Sequence, residues 1–155
     1  MDIFQEITSE HEDFRKWSEK IAETTDRAVK TREDLFKKLY IKLTAHHEAE
    51  EEVLVPVLRE HEDTKEFAIE IDEEHDVIDY IMEELRKLPV NEENWLMKFK
   101  IMKEQLDHHL EDEEEEIAPK AREIFEKERL ESLVDKYEKD MSERKKKLES
   151  NYTKG

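Results

Sequence analysis

His46-His47-Glu48-Ala49-Glu50-Glu51-Glu52-Val53-Leu54-Val55-Pro56 and His109-Leu110-Glu111-Asp112-Glu113-Glu114-Glu115-Glu116-Ile117-Ala118-Pro119 are two copies of one pattern. In each, a His is followed four residues later by Glu and ten residues later by Pro. Residues four apart share a helix face, separated by about 6 Å along the axis. The His and the Glu of one copy can therefore aim at one point, and two copies on facing helices would enclose it.

The repeat extends backwards. Glu10-His11 precedes the first copy by nearly the interval at which Glu74-His75 precedes the second. Each copy is the second arm of a helical hairpin, and the two hairpins are related by a pseudo-twofold. Working outward, apolar residues recur at steps of three and four along four segments: Phe4 to Ala28, Phe36 to Val57, Ala68 to Leu85, and Phe99 to Ile124. That spacing is one face of an amphipathic helix.

Asp2 with Gln5 predicts a capping box for the first helix. The second is entered through Thr31, with Glu33 and Asp34 suited to an N-terminus, and runs to about His61 to Asp63. The third stops at Leu88-Pro89, and Asn91 caps the fourth. Short turns between long helices predict antiparallel neighbours. The fold class is all-α: an antiparallel, up-down-up-down four-helix bundle over residues 1–126. Helical spacing continues at Leu130, Val134, Tyr137, Met141 and Leu148, so residues 127–155 form a C-terminal helical extension packed on the bundle or continuing it.

Composition agrees with helix and narrows function. Of the 155 residues, 46 % are charged, one is Gly and three are Pro, which favours helix at nearly every position. The apolar fraction of 35 % is low enough to raise disorder, and the periodic stripes decide against it. A net charge of −18 repels phosphate backbones and anionic headgroups, so neither nucleic acid nor a membrane surface is an expected partner. No apolar run approaches the ~20 residues that cross a bilayer. The N-terminal residues lack signal-peptide character, which points to a cytoplasmic protein. With no Cys, thiolate sites and cysteine nucleophiles are excluded, and any metal must be held by His and carboxylates.

Six polar residues stand where the stripes call for apolar ones: His11, His46, Glu50, His75, His109 and Glu113. Burying two carboxylates together without a compensating cation is strongly unfavourable. Either metal or an unusual proton-sharing network must offset it. Hydrogen-bonded core histidines with protonated Glu are the ordinary alternative, and the doubling of the pattern counts against them. Imidazole and carboxylate donors suit iron, manganese or zinc, and six donors with bridging solvent fit two metals better than one. Counting along the helices places His75 and His109 about one turn out of level, an offset that caps and side-chain reach could absorb.

The order His, HxxxE with Pro six beyond the Glu, His, and HxxxE again resembles the hemerythrin-like, His-His-Glu cation-binding family, over roughly Asp2 to Glu126. The resemblance implies a non-haem centre of two iron ions with an oxo or hydroxo bridge. It implies ligation by His11, His46, His75 and His109, with Glu50 and Glu113 bridging. Asp79 stands four residues after His75, where oxygen carriers have a further His, and the last motif is HxxxE rather than His followed by Asp. Sensor-type members are the nearer likeness. The expected ligand is dioxygen, nitric oxide or peroxide, bound for sensing, storage or detoxification, with a redox partner possible. A binding protein with no catalytic side chain of its own is expected ahead of an enzyme. The alternatives are a di-iron oxidoreductase reducing peroxide or nitric oxide, and an iron-handling bundle in which metal contributes folding energy only.

Other polar residues receive plainer readings. His47 and His108 point about 100° away from their neighbours in the motifs and are read as outer or surface residues. His61 lies about 22 Å from His46 along the helix and is read as a helix-end residue. Asp79 is read as a polar edge, Tyr40 and Tyr80 as ambiguous outer donors, and Asp112 to Glu116 as a solvated face on which only Glu113 matters. Trp17 and Trp95 are read as packing residues, and Pro56 and Pro119 as bends just beyond the site.

Overall fold

The computed structural model describes residues 1–152. Four long helices form its frame: α1 (Ile3–Ala22), α2 (Val29–Val53), α4 (Glu62–Lys87) and α5 (Trp95–Asp112). Among the described residues there is no strand. A short α3 (Val55–Leu58) follows α2, and a π-helical turn (Glu113–Ile117) joins α5 to α6 (Ala118–Ile124). Two helices close the chain, α7 (Lys127–Ser132) and α8 (Val134–Tyr152).

Side-chain pairs fix the directions. Asp13 meets Lys42 while Thr24 meets Arg32, so α1 and α2 are antiparallel. His47 bonds Asp79 and Tyr40 bonds Glu83 between α2 and α4. Glu74 meets His109 and Glu84 meets Lys98 between α4 and α5. The architecture is the all-α, antiparallel bundle that the stripes predict. Helix α8 packs along α2 in the opposite direction, Tyr137 reaching His46 and Tyr152 reaching Tyr40.

The capping box of α1 is present: Gln5 N–H donates to Asp2 at 2.9 Å, and Asp2 N–H to the Gln5 amide oxygen at 2.8 Å. Helix α4 is capped by His61, whose ring accepts from Asp63 N–H. Its first turn carries Glu62 and Asp63 and its last Arg86 and Lys87, as the helix dipole favours.

Two helix starts differ from expectation, and tertiary anchors explain both. Helix α2 begins at Val29, ahead of Thr31, with no side-chain cap. Its first turn is held instead by buried Arg32, which donates to Thr24 and to the carbonyl of Val90 at 2.7 Å. Helix α5 begins at Trp95 rather than after Asn91. Fully buried Trp95 sets that start by donating its indole N–H to the Leu85 carbonyl at 3.1 Å.

Helix α2 also stops at Val53, well short of His61. Pro56 has no N–H and its ring clashes with the carbonyl four residues back, so the helix breaks at Leu54 and resumes only as α3. Pro119 poses the same problem in the second hairpin and receives a different answer. There the π turn widens the helix by one residue, and Ala118 N–H donates to the Glu113 carbonyl five residues back.

Two apolar clusters fill the bundle. One gathers Ile3, Phe4, Ile7, Ala45, Ala49, Ile71 and Ile117 with Tyr137 and Met141 of α8. The other gathers Phe14, Phe36, Leu39, Met82, Trp95, Phe99 and Leu110. Between them lies a layer of buried polar side chains.

Candidate metal centre

That layer consists of the residues on which the stripes were anomalous. His11 comes from α1, His46 and Glu50 from α2, His75 from α4, His109 from α5, and Glu113 opens the π turn. All six are at most 2 % exposed. The structure brings them together at one level. His75 Nε2 and His109 Nε2 are 3.2 Å apart, so the expected offset of a turn is absent. Starting α5 at Trp95 rather than near Asn91 lengthens the connection and restores the level.

The donor atoms divide into two groups that share both carboxylates. His11, His46, Glu50 and Glu113 form one, and Glu50, His75, His109 and Glu113 the other. Each carboxylate turns one oxygen to each group. Glu50 Oε2 lies 3.4 Å from His46 Nε2, and its Oε1 lies 3.0 Å from His75 Nε2. Glu113 Oε1 lies 3.2 Å from His11 Nε2, and its Oε2 lies 3.7 Å from His109 Nε2. These approaches are close without being hydrogen bonds for most of the atoms. Among the described residues, Nε2 of His11 and His46 and all four carboxylate oxygens have no hydrogen-bond partner. Buried polar atoms are nearly always paired, so six orphans converging on a common space mark the place of something that binds them. Neutral nitrogen and anionic oxygen donors fit hard or borderline divalent and trivalent cations.

A second set of carboxylates holds the rings from behind. His46 Nδ1 donates to Glu10 at 2.7 Å and His109 Nδ1 to Glu74 at 2.6 Å. His75 Nδ1 donates to Glu51 at 2.8 Å and His11 Nδ1 to Glu114 at 2.7 Å. A carboxylate can only accept, so Nδ1 carries the proton and Nε2 can present its lone pair to a metal. The arrangement repeats across the pseudo-twofold. Glu10 and Glu74 each precede a candidate ligand His, while Glu51 and Glu114 each follow a candidate ligand Glu.

Sequence reasoning missed these four. Their signal was present in the adjacency itself, because a residue next to an inward-facing one lies about 100° around the helix and meets the neighbouring helix. The reading of Asp112 to Glu116 as solvated apart from Glu113 is corrected for Glu114. It pairs with both His11 and Arg15.

His47 has two readings, outer residue or surface residue, and the surface one is excluded. It is fully buried, its Nδ1 donates to Asp79 at 2.7 Å, and its ring stacks on His75 at 3.8 Å. Asp79 is thus a partner of a buried imidazole rather than a bare polar edge. Other readings stand as placed: His108 and Tyr80 are exposed, His61 caps α4, and Tyr40 bonds Glu83.

Tyr137 adds an asymmetric contact from α8. Its hydroxyl donates to Glu10 at 2.6 Å and accepts from His46 Nδ1 at 2.9 Å. Among the described residues no corresponding tyrosine bonds Glu74 or His109, and the Glu74 carboxylate is partly exposed.

The protein's own charges describe the same centre. Burial pushes His46 down, but the Glu50 carboxylate and the bond to Glu10 outweigh it and raise the imidazole to about 10. His75 is likewise pushed down by burial and carried up by Glu50 and Glu51 to about 10. Burial raises Glu50, yet His46 and His75 draw it well below the usual carboxylate range. For His47, burial and neighbouring His75 lower the ring to about 3, so it is neutral at physiological pH.

Fold and site together define a helical bundle whose buried histidines and glutamates are grouped as metal-binding clusters are. The chain belongs to the hemerythrin HHE cation binding domain family, whose sequence profile matches residues 2–121. The fold is similar to the crystal structure of a hemerythrin HHE cation binding domain-containing protein from Mycobacterium kansasii. The TM-score is 0.83 at 22 % identity, over 97 % of this chain and 91 % of that one. Among curated proteins none matches the sequence significantly. No helix of the described residues is long and apolar enough to cross a membrane.

Proposed function

We propose that the chain is a non-haem di-iron protein that binds dioxygen, nitric oxide or peroxide, for sensing, storage or detoxification. One observation carries the reading: two donor groups share both carboxylates, each of which turns one oxygen to either side. A single ion would have no use for that division. Two ions, one held by His11 and His46 and the other by His75 and His109, with Glu50 and Glu113 shared between them, would engage Nε2 of His11 and His46 and all four carboxylate oxygens.

When bound, the iron pair would supply the redox chemistry that these ligands need, which the side chains themselves lack. The protein's part is positioning, charge and exclusion of water. Glu10, Glu51, Glu74 and Glu114 fix the four rings and make them better donors. With Glu50 and Glu113 they place six carboxylates around the centre, a field that favours ferric over ferrous iron and lowers the reduction potential. Apolar clusters on both sides exclude bulk water, and a centre with all its donors buried admits only ligands of a few atoms.

Complete burial also favours a second reading, in which metal contributes folding energy and binds nothing further. One experiment separates the two. Iron analysis of the purified protein is expected to give about two irons per chain, as in other di-iron carboxylate bundles. Visible charge-transfer bands should shift on addition of azide or peroxide and vanish in His46→Ala and Glu113→Ala. Bound iron with a spectrum indifferent to both ligands would support the folding role alone, and less than one metal per chain would defeat both readings.

A further inference from the structure

We propose that His47 is a fifth imidazole donor, serving the metal position of His75 and His109 and making the two positions unlike. The inference rests on the di-metal reading and adds a residue to it.

The position of His47 requires an explanation. The ring is wholly buried on α2, one residue from His46, and Asp79 on α4 accepts from its Nδ1 at 2.7 Å. That bond assigns the proton to Nδ1 and leaves Nε2 as a bare lone pair. This Nε2 is buried and has no partner among the described residues. A neutral imidazole held by a carboxylate with its second nitrogen free inside a bundle has the protonation and orientation of a metal ligand. Its surroundings point the same way. The ring stacks on His75 at 3.8 Å and 18°, and it meets His109 edge-on at 5.9 Å and 86°. Each of the three offers a ligating nitrogen within 4.8 Å of the others.

The pseudo-twofold shows that this is a local addition. His47 follows His46, and the residue that follows His109 is Leu110, a buried member of the apolar cluster with Phe14. Asp79 stands four residues after His75, and the residue four after His11 is Arg15, which binds Glu114 instead. The position of His11 and His46 therefore faces Leu110 where its twin faces His47. With three imidazoles on one side and two on the other, the metal beside His11 and His46 keeps more room for an exogenous ligand. That is also the side on which Tyr137 touches His46.

Cobalt(II) loading of the intact protein, followed by proton NMR, tests the inference directly. Each coordinating ring with a buried Nδ1–H gives a hyperfine-shifted exchangeable resonance, so five are expected in the native protein and four in His47→Leu, which copies Leu110. In the same variant, titration with cobalt is expected to show a loss of tenfold or more in affinity at one position and little change at the other. Four shifted resonances in the native protein, with two metals bound, would overturn the role of His47 and leave the di-metal reading intact. Equal weakening of both positions in His47→Leu would do the same. Failure of the native protein to bind metal would overturn both.

Discussion

Glu114 holds two cationic partners, accepting from His11 Nδ1 at 2.7 Å and from the Arg15 guanidinium at 2.9 and 3.0 Å. Burial raises its carboxyl, but His11 and Arg15 lower it further, to about 2. Removing it leaves the His11 ring free to rotate and its Nδ1–H unpaired. Carboxylates behind metal-ligating histidines typically matter by about 10–100-fold in metal affinity. Glu114→Ala is therefore expected to weaken one metal by that factor, measured by competition with a chromophoric chelator, whereas Glu115→Ala, next to it and exposed, should change nothing. The contrast shows where legibility ended. His11, His46, Glu50, His75, His109 and Glu113 stood out because they interrupted apolar stripes. Glu10, Glu51, Glu74 and Glu114 sit among other acids, in a chain with 45 Asp and Glu, and nothing in composition separates a carboxylate aimed at an imidazole from one aimed at water. His47 was hidden by the same geometry: 100° from His46 is outward for an isolated helix and inward for one packed on α4.

Helix α8 reaches the site through the Tyr137 hydroxyl, which bonds Glu10 and His46, while the ring packs beside Ile3, Ala45 and Met141. Tyr137→Phe keeps the packing and removes the hydroxyl. It is expected to cost about 1 kcal/mol in unfolding free energy, and to speed chelator extraction of the metal beside His46 while leaving its twin unchanged. Equal loss from both positions would show that α8 acts only by general packing. Periodicity at Tyr137 and Met141 was readable as helix, but the spacing of a tail carries no information on which groove it enters. The proline elements were readable only in part. Pro56 and Pro119 occupy equivalent places in the repeat, yet one breaks its helix and the other is accommodated by a π turn.

At the scale of the molecule, charge and protonation link stability to metal. His46 and His75 are raised to about 10 in the folded chain, above the ordinary value of about 6.5. The stability that they contribute without metal is fully present below about pH 6.5 and is lost as pH rises toward 10. Glu50 and Glu114 are lowered, so their contribution is present above about pH 4.5 and is lost on acidification. Burial lowers His47 to about 3, so its contribution is lost as pH falls below about 6.5, and metal-stripped protein is therefore expected to melt highest near pH 6.5 and progressively lower toward pH 9. Metal must displace protons from His46 and His75, so its stabilisation grows with pH. The gap in Tm between loaded and stripped protein should widen from pH 6 to pH 9, and a constant gap would contradict this linkage. The net charge of −18 adds self-repulsion, which salt screens.

The proposed centre has Glu50 and Glu113 shared between two cations, one beside His11 and His46 and the other beside His75 and His109. Crystals of the iron-loaded protein, measured at the iron absorption edge, test it most directly through the anomalous difference map. Two peaks about 3.5–4 Å apart are expected, as in other two-metal sites, one against His11 and His46 and the other against His75 and His109. A single peak, or peaks away from the two glutamates, would contradict it.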